Sequence, residues 1–168
     1  IVIRGEPEEG APVVISGDGW RTHGIALVES DNVVIERVEV RGFTDSGVYA
    51  LDGERIVLRA AVVQGNGRCS VDEDAEDEGF GINLLAVEEY VVERSAFVDN
   101  GPSRATVLGA RALGTAVNTF ESSGIVRDNV MYYNRGAGVL VEDGHDTLVE
   151  NNRIEANWLL LEGDYWDG

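Results

Sequence analysis

The sequence is organised by a repeat that is either 23 or 34 residues long. The repeat can be anchored on five aliphatic residues, whose successive spacings are 23, 34, 34 and 23 residues. These anchors are Ile35, Leu58, Val92, Val126 and Val149. We predict that they stack in one buried column. Repeats of this kind cannot bury an apolar face alone, so they stack into a solenoid. The two longer repeats are interpreted as basic rungs that each carry 11 extra residues.

Three further sets of residues keep a constant spacing from the anchors through both longer repeats, and each set is called a column because its members should stack along the solenoid. Five residues after the anchors come Val40, Val63, Phe97, Met131 and Ile154. Three residues later come Phe43, Asn66, Asn100, Asn134 and Asn157. Eleven residues before the anchors come Gly24, Gly47, Gly81, Thr115 and Gly138. We predict that the asparagine side chains form hydrogen bonds along the solenoid, because stacked amides can donate and accept in line.

The residues directly after the anchors alternate in charge. They are Glu36, Arg59, Glu93, Arg127 and Glu150. Parallel strands on successive rungs lie about 4.8 Å apart, so opposite charges would face each other along this column. We predict an exposed charge ladder that contributes a few tenths of a kcal/mol per pair and helps to align the rungs.

The local composition predicts strands instead of helices. Val, Ile, Thr, Tyr and Phe recur in short runs separated by Gly, Asn and Asp, without a sustained 3.6-residue period. We therefore predict an all-β fold, a right-handed parallel β-helix of five to six rungs with almost no helix. We expect one domain over residues 1–168, taken from a longer protein because the chain starts without Met and ends partway into another rung.

The charge balance bears on the partners of the protein. The chain has 31 acidic residues, 13 arginines and no lysine, which gives a net charge of −18. A surface of this kind repels nucleic acid and anionic membranes, so neither is expected as a partner. A salt-adapted source, a setting rich in Ca²⁺ and an ordinary acidic surface each account for this composition. Cys69 is alone, so an internal disulfide is excluded.

The repeat resembles a known superfamily. The segment Gly24-Ile-Ala-Leu-Val-Glu-Ser-Asp-Asn-Val-Val-Ile35 looks like a repeat of the right-handed parallel β-helices of the pectate-lyase-like superfamily. The opening Ile1-Val-Ile-Arg-Gly5 is similar to the first turns of its polysaccharide lyases, including the alginate lyase and chondroitinase B branch. The resemblance implies a secreted or cell-surface protein that binds or processes polysaccharide along the sheet whose strands begin near the glycine column.

The catalytic signatures of that superfamily are not intact in this sequence. Its lyases typically use Arg or Lys beside Ca²⁺, its hydrolases use clustered aspartates, and its epimerases use a His, Tyr and Asp constellation. The two histidines, His23 and His145, lie about four rung steps apart, roughly 19 Å, so they are not expected to share a metal.

The two insertions, residues 67–78 and 101–112, leave the coil at the same point of successive rungs, so they should form one wall beside the substrate sheet. The first contains six carboxylates in seven residues, and the second contains two arginines. This run is either a solvated acidic loop or a Ca²⁺ site, which needs several oxygen ligands. The metal candidates are Asp72, Asp74 and Asp77. The catalytic candidates are Arg104 or Arg111, as charge stabiliser or base, with an acidic partner from Asp45, Asp72, Asp74 or Glu78.

Side chains alternate along a strand, so the outward positions of the substrate sheet can be assigned. Those that could bind sugar are Tyr49, Asn83, Thr119 and Glu142. On the second sheet, the residues directly before the anchors form a wholly aliphatic column. They are Val34, Val57, Val91, Ile125 and Leu148. If this column faces outward, an apolar stripe of that length marks contact with other protein.

Two functions from different classes follow from these patterns. The first is an extracellular β-helix that binds or processes polysaccharide, with lyase- or epimerase-like activity on uronate-containing glycans and Ca²⁺ as a candidate cofactor. The second is a non-catalytic structural β-helix that self-associates, or contacts the rest of a larger protein, through open ends and apolar faces.

The acidic insertion gives the first testable prediction. The combined Asp72→Ala and Asp74→Ala substitutions should weaken binding of Ca²⁺ or of an anionic sugar without unfolding the coil, because loops outside the core contribute little burial. Calorimetric titration of both proteins with Ca²⁺ and with oligouronates measures this. An absence of heat with either ligand on the unmutated protein would support the solvated acidic loop.

Overall fold

The computed structural model describes residues 1–6, 12–67, 78–102, 113–161 and 164–167, and for residues 78, 113, 158–161 and 164–167 it describes the backbone only. The described residues contain eighteen strands and no helix. The strands are β1 Val2–Arg4, β2 Val13–Ser16, β3 His23–Val28, β4 Asp31–Glu36, β5 Val38–Arg41, β6 Ser46–Arg59, β7 Val62–Gln64, β8 Glu78–Glu88, β9 Tyr90–Glu93, β10 Ala96–Val98, β11 Leu113–Phe120, β12 Gly124–Arg127, β13 Val130–Tyr132, β14 Val139–Glu142, β15 Leu148–Glu150, β16 Arg153–Glu155, β17 Trp158–Leu161 and β18 Asp164–Asp167.

The strands from β1 to β16 stack in parallel and form a coil with three faces. The first face contains β3, the first half of β6, β8, β11 and β14. The second face contains β1, β4, the second half of β6, β9, β12 and β15. The third face contains β2, β5, β7, β10, β13 and β16. Strands β17 and β18 form an antiparallel hairpin. This arrangement confirms the predicted parallel β-helix.

The anchor column has the predicted register on the second face. Ile35 pairs with Leu58, Leu58 with Val92, Val92 with Val126, and Val126 with Val149. The first four anchors are buried, but Val149 is 44% exposed, so the prediction of a fully buried column was wrong at its last member. Val149 lies on β15, an outermost strand of its sheet, and within the described residues no further strand pairs with β15 on that side.

The predicted asparagine ladder is present and buried. The side-chain Nδ2 of Asn66 donates to Oδ1 of Asn100 at 3.0 Å, and Asn100 donates in the same way to Asn134 at 2.9 Å. Asn134 continues the ladder to Asn157 at 2.7 Å. Each Oδ1 also accepts the backbone N–H of the ladder residue on the rung before, such as that of Asn66 for Asn100. The amides thereby satisfy backbone groups at a corner that strand pairing leaves open.

The sequence analysis missed a second ladder at the opposite end of the third-face strands. Asn129 donates through Nδ2 to Oδ1 of Asn152 at 3.0 Å, and its own Oδ1 accepts the backbone N–H of Ser95. The hydroxyl of Ser95 in turn accepts the backbone N–H of Ala61. All of these residues lie three positions after an anchor, so the repeat in the sequence could have been used to predict this second ladder.

The glycine column has a packing role. A Cβ atom added to Gly47 would lie 2.7 Å from Cγ1 of Val63 and 2.8 Å from Nδ2 of Asn66. One added to Gly81 would lie 2.8 Å from Cδ1 of Phe97. Because these glycines face the third-face core at close range, a side chain there would displace the strands that carry the asparagine ladder.

The charge column is in the predicted register, but two of its glutamates are buried instead of exposed. Glu36 accepts hydrogen bonds from Arg4 and Arg59, and Glu93 accepts them from Arg127 and Arg94. The arginine side chains lie over the glutamates and cover them. The guanidinium groups of Arg59 and Arg4 lower the pKa of the Glu36 carboxyl. Burial acts to raise the pKa of Glu93, but the hydrogen bonds from Arg127 and Arg94 outweigh it and lower the pKa.

Removing one amide from the middle of the asparagine ladder should destabilise the coil strongly. Asn100→Ala leaves buried N–H groups of Asn66 without an acceptor, and we expect a loss of about 3 kcal/mol in unfolding free energy. Gln64→Ala removes a surface amide of the same face and should cost less than about 1 kcal/mol. Chemical denaturation of both variants measures this; equal losses would show that the ladder is not a principal stabilising element.

The lowered pKa of Glu93 predicts a pH-dependent contribution to stability. A carboxyl with a lowered folded-state pKa stabilises the fold above its ordinary value of 4.5 and loses that effect as the pH falls through the folded-state value. Glu93→Gln should therefore be less stable than the unmutated chain by about 1 kcal/mol at pH 7, and the difference should shrink between about pH 5 and pH 3.

Thermal unfolding across this pH range is the measurement for Glu93→Gln. Glu150→Gln, which changes the exposed glutamate of the same column, is the matched control and should have a small effect at every pH. A difference for Glu93→Gln that persists unchanged at pH 3 would contradict the prediction.

Candidate functional site

A row of polar side chains crosses the outer surface of the first face. Tyr49 on β6 pairs in register with Asn83 on β8, and Asn83 pairs with Asn118 on β11. Their neighbours along each strand, such as Val48 and Ile82, point into the core. Because side chains alternate along a strand, the polar row faces outward. It extends along the coil axis over three successive rungs.

His23 extends this row toward the start of the coil. Its imidazole stacks on the ring of Tyr49, with ring centroids 4.5 Å apart and planes inclined by 17°. Nδ1 of His23 lies 3.5 Å from Oδ1 of Asp45, is buried and makes no hydrogen bond to a described residue. Asp45 is held in place because it accepts a hydrogen bond from the hydroxyl of Ser46. A histidine, a tyrosine and an aspartate thus meet at one point.

The two asparagines form a linked and buried amide pair. Nδ2 of Asn118 donates to Oδ1 of Asn83 at 2.9 Å. Asn118 is only 6% exposed, and its own Oδ1 is buried without a hydrogen-bond partner among the described residues. A buried acceptor without a donor costs free energy, so a donor supplied from outside would be stabilising.

The position predicted for Thr119 was wrong. Thr119 is fully buried and its hydroxyl donates to the carbonyl of Leu140, so it cannot meet a ligand on the outer surface. Asn83 and Asn118 are 35 residues apart, whereas the anchors of the same two rungs are 34 apart. The chain has four residues between Leu85 and Tyr90 but only three between their strand partners Phe120 and Gly124. This shortened connection between β11 and β12 reverses the facing of residues 115–119 relative to the prediction.

The predicted catalytic and metal residues of the insertions lie largely outside the described part of the chain. Arg104, Arg111, Asp72, Asp74 and Asp77 fall there, and only the backbone of Glu78 is described. The stems of the two insertions do lie at the same point of successive rungs. The backbone N–H of Gly101 donates to the carbonyl of Asn66, and Leu113 pairs with Glu78 where the chain returns.

The structure places the remaining predicted residues separately. Asp45 and Tyr49 meet at His23, and Asn83 meets Asn118. Glu142 is exposed at the far end of the same face, opposite Phe120. Sequence reasoning missed both His23 and Asn118. His23 could have been assigned to this face, because it precedes Gly24 as Ser46 precedes Gly47. Asn118 could not be predicted from the repeat, because the shortened connection changes its spacing from the anchor.

The second histidine takes part in a different cluster. Nε2 of His145 lies 3.4 Å from Oε2 of Glu88, and the hydroxyl of Ser123 donates to the same carboxylate oxygen. The glutamate therefore stands between serine and histidine, so His145 is not placed to accept the serine proton. This geometry does not correspond to a nucleophilic triad.

The described residues contain no cluster of three or more His, Cys, Asp or Glu side chains with a geometry suited to a metal ion. They also contain no helix with the length and apolar character needed to cross a membrane.

Comparison with known proteins gives a family for the chain. A protein-family model, described as a right-handed β-helix region, matches residues 15–164. This range includes every strand from β3 to β17. Comparison with curated proteins and with solved structures found no significant match. The family match agrees with the parallel pairing and with the buried ladders. The chain belongs to the right-handed β-helix family.

Proposed function

We propose that this β-helix binds polysaccharide along its first face. The observation that carries the proposal is the outward polar row that begins at His23 and continues through Tyr49 to Asn83 and Asn118. Successive rungs present one of these side chains about every 4.8 Å. A polymer of sugar residues lying along the coil axis would meet a hydrogen-bonding or stacking group at each step. Secretion or cell-surface display accompanies this proposal.

The side chains of the row suit sugar chemistry. Tyr49 offers a ring and a hydroxyl. Oδ1 of Asn118 has no donor among the described residues, and an outward rotation of this side chain would let it accept a sugar hydroxyl. Each of these groups can hydrogen-bond a neutral sugar. The binding function needs only these described residues.

The His23 cluster supports a processing activity on uronate-containing glycans. Nδ1 of His23 faces Asp45, so Nε2 is the nitrogen available to a ligand. We propose that Nε2 removes the proton from the carbon beside the uronate carboxyl. The electron pair of that C–H bond forms a carbon–carbon double bond as the glycosidic C–O bond on the next carbon breaks, and the Tyr49 hydroxyl gives a proton to the departing oxygen. Asp45 orients the imidazole in this scheme. The resemblance to the pectate-lyase-like superfamily favours the same substrate class.

The net charge of −18 opposes binding of an acidic polymer unless its carboxylates are neutralised. Arg104 or Arg111 would supply that positive charge, and Ca²⁺ held by Asp72, Asp74 and Asp77 is the alternative source. With neither in place, the same polar row would favour neutral glycans. Acidic and neutral glycans are therefore the two ligand classes to compare, each with and without Ca²⁺.

The experiment measures binding and turnover separately. Calorimetry with oligouronates and with neutral oligosaccharides, each with and without added Ca²⁺, measures binding. The appearance of an unsaturated uronate chromophore measures elimination. We expect His23→Gln to abolish turnover, and Asn118→Leu to weaken binding about tenfold, because it removes the buried acceptor.

The chain offers a matched control for both measurements. His145→Gln changes the only other histidine, which lies in the Glu88 cluster, and should leave binding and turnover unchanged. Binding without product would show a carbohydrate-binding module instead of an enzyme. An absence of binding to every glycan tested would overturn the proposal.

A further inference from the structure

The second face presents an outward aliphatic column beside the charge column. Six residues in register form this column, one on each strand of the face. Five of them directly precede the anchors, and the sixth precedes Ile3, which pairs with the anchor Ile35. They are Val2, Val34, Val57, Val91, Ile125 and Leu148. The central four are partly exposed, and the outer two are 58% and 47% exposed. The aliphatic column therefore faces outward, as the sequence analysis allowed. It is an unbroken apolar stripe along the outside of the coil.

The charge column runs parallel to this stripe, two residues further along each strand. In the same six strands it reads Arg4, Glu36, Arg59, Glu93, Arg127 and Glu150. Three arginines and three glutamates leave the column neutral, although the chain as a whole has a net charge of −18. The two columns at the centre of the second face therefore add no net negative charge that would repel another copy of this acidic chain.

Two copies of the second face match each other when they are related by one particular two-fold rotation. A two-fold axis that runs along the strand direction brings the first strand opposite the sixth, the second opposite the fifth and the third opposite the fourth. Every aliphatic residue then faces an aliphatic residue, with Val57 opposite Val91. By position, every residue of the charge column faces one of opposite charge. Glu36 and Glu93 are already paired with arginines of their own chain, and Glu150 is the exposed glutamate of the column. The facing pairs are Arg4 with Glu150, Glu36 with Arg127, and Arg59 with Glu93.

The other two-fold arrangement does not have this property. An axis parallel to the coil brings each strand opposite its own copy and reverses the strand direction. With this axis on the aliphatic column, each charged residue approaches the residue four positions before it in the second copy. Arg59 then approaches Arg55, Glu93 approaches Glu89, and Glu150 approaches Asp146. Like charges meet in each of these pairs, so this arrangement is disfavoured.

We propose that the second face is a surface for antiparallel association with a second copy of this chain. The occupant follows from the complementarity, because a symmetric dimer requires a surface that matches itself. Six strands at about 4.8 Å spacing and about 16 Å of strand length give roughly 400 Å² per copy. This area is about half of that in a standard interface, so the dimer is weak and reversible.

The first test measures mass against concentration. Sedimentation velocity should show the 18.2 kDa monomer at low concentration and a species of twice that mass at high concentration. Val57→Glu should weaken dimerisation at least tenfold, and so should Val91→Arg. A mixture of these two variants should regain it, because Glu at position 57 then faces Arg at position 91. Native mass spectrometry with one isotopically labelled variant identifies the heterodimer.

Val62→Glu is the matched control, because Val62 is a similarly exposed outward valine on the third face. It should dimerise like the unmutated chain. A monomer at all concentrations, or a dimer lost equally with Val62→Glu, would overturn the proposal.

The second test measures orientation by cross-linking in a Cys69→Ser background. A chain with Val34→Cys should form a disulfide with a chain that carries Ile125→Cys, because these positions face each other. Two Val34→Cys chains should not cross-link, since they lie about three strand spacings apart, roughly 14 Å. The reverse result would overturn the antiparallel arrangement. Neither test depends on glycan binding.

Discussion

The structure depends on hydrogen bonds that run along the coil axis at its corners. Parallel strand pairing holds each face together, but it leaves some backbone groups without a backbone partner where the chain turns from one face to the next. At the third-to-first corner, the amides of Asn66, Asn100 and Asn134 replace it and bond both to each other and to backbone groups. These side chains are fully buried, so their bonds are protected from water. The glycine column keeps the space in front of them free.

The sequence predicted the parts of the fold that repeat in step. The anchor, asparagine and charge columns each recur at fixed offsets, and the first-face register holds for the rungs of Tyr49 and Asn83. The glycine column was predicted correctly except at Thr115, because Ala116 takes that position in the structure. The prediction failed between Asn83 and Asn118, where a longer insertion is followed by a shorter connection. The two changes cancel in the 34-residue spacing of the anchors, so the total length of the repeat gives no sign of them. Thr119 was assigned to the wrong side for this reason.

The candidate site was less predictable, because it depends on pairs of residues that are distant in sequence. Tyr49, Asp45 and Asn83 could be selected as polar groups on one face. The stacking of His23 on Tyr49 requires the relative rotation of side chains on neighbouring rungs, which periodicity does not determine. The burial of Glu36 and Glu93 was unexpected for a related reason. Arginine side chains can cover a neighbouring carboxylate with their aliphatic stems, so a column of charges need not be exposed.

The shortened connection between β11 and β12 has a wider meaning for this fold. Side-chain orientation along a coil behaves like a reading frame with a period of two. A single added or missing residue exchanges the inner and outer sides of a strand, and the next compensating change restores them. The stretch between Gly114 and Phe120 is such an out-of-frame segment, and it brings Asn118 to the surface in line with Asn83. One added residue at the corner before a strand and one removed residue at the corner after it would therefore exchange the inward and outward side chains of that strand. The rest of the coil would keep its register.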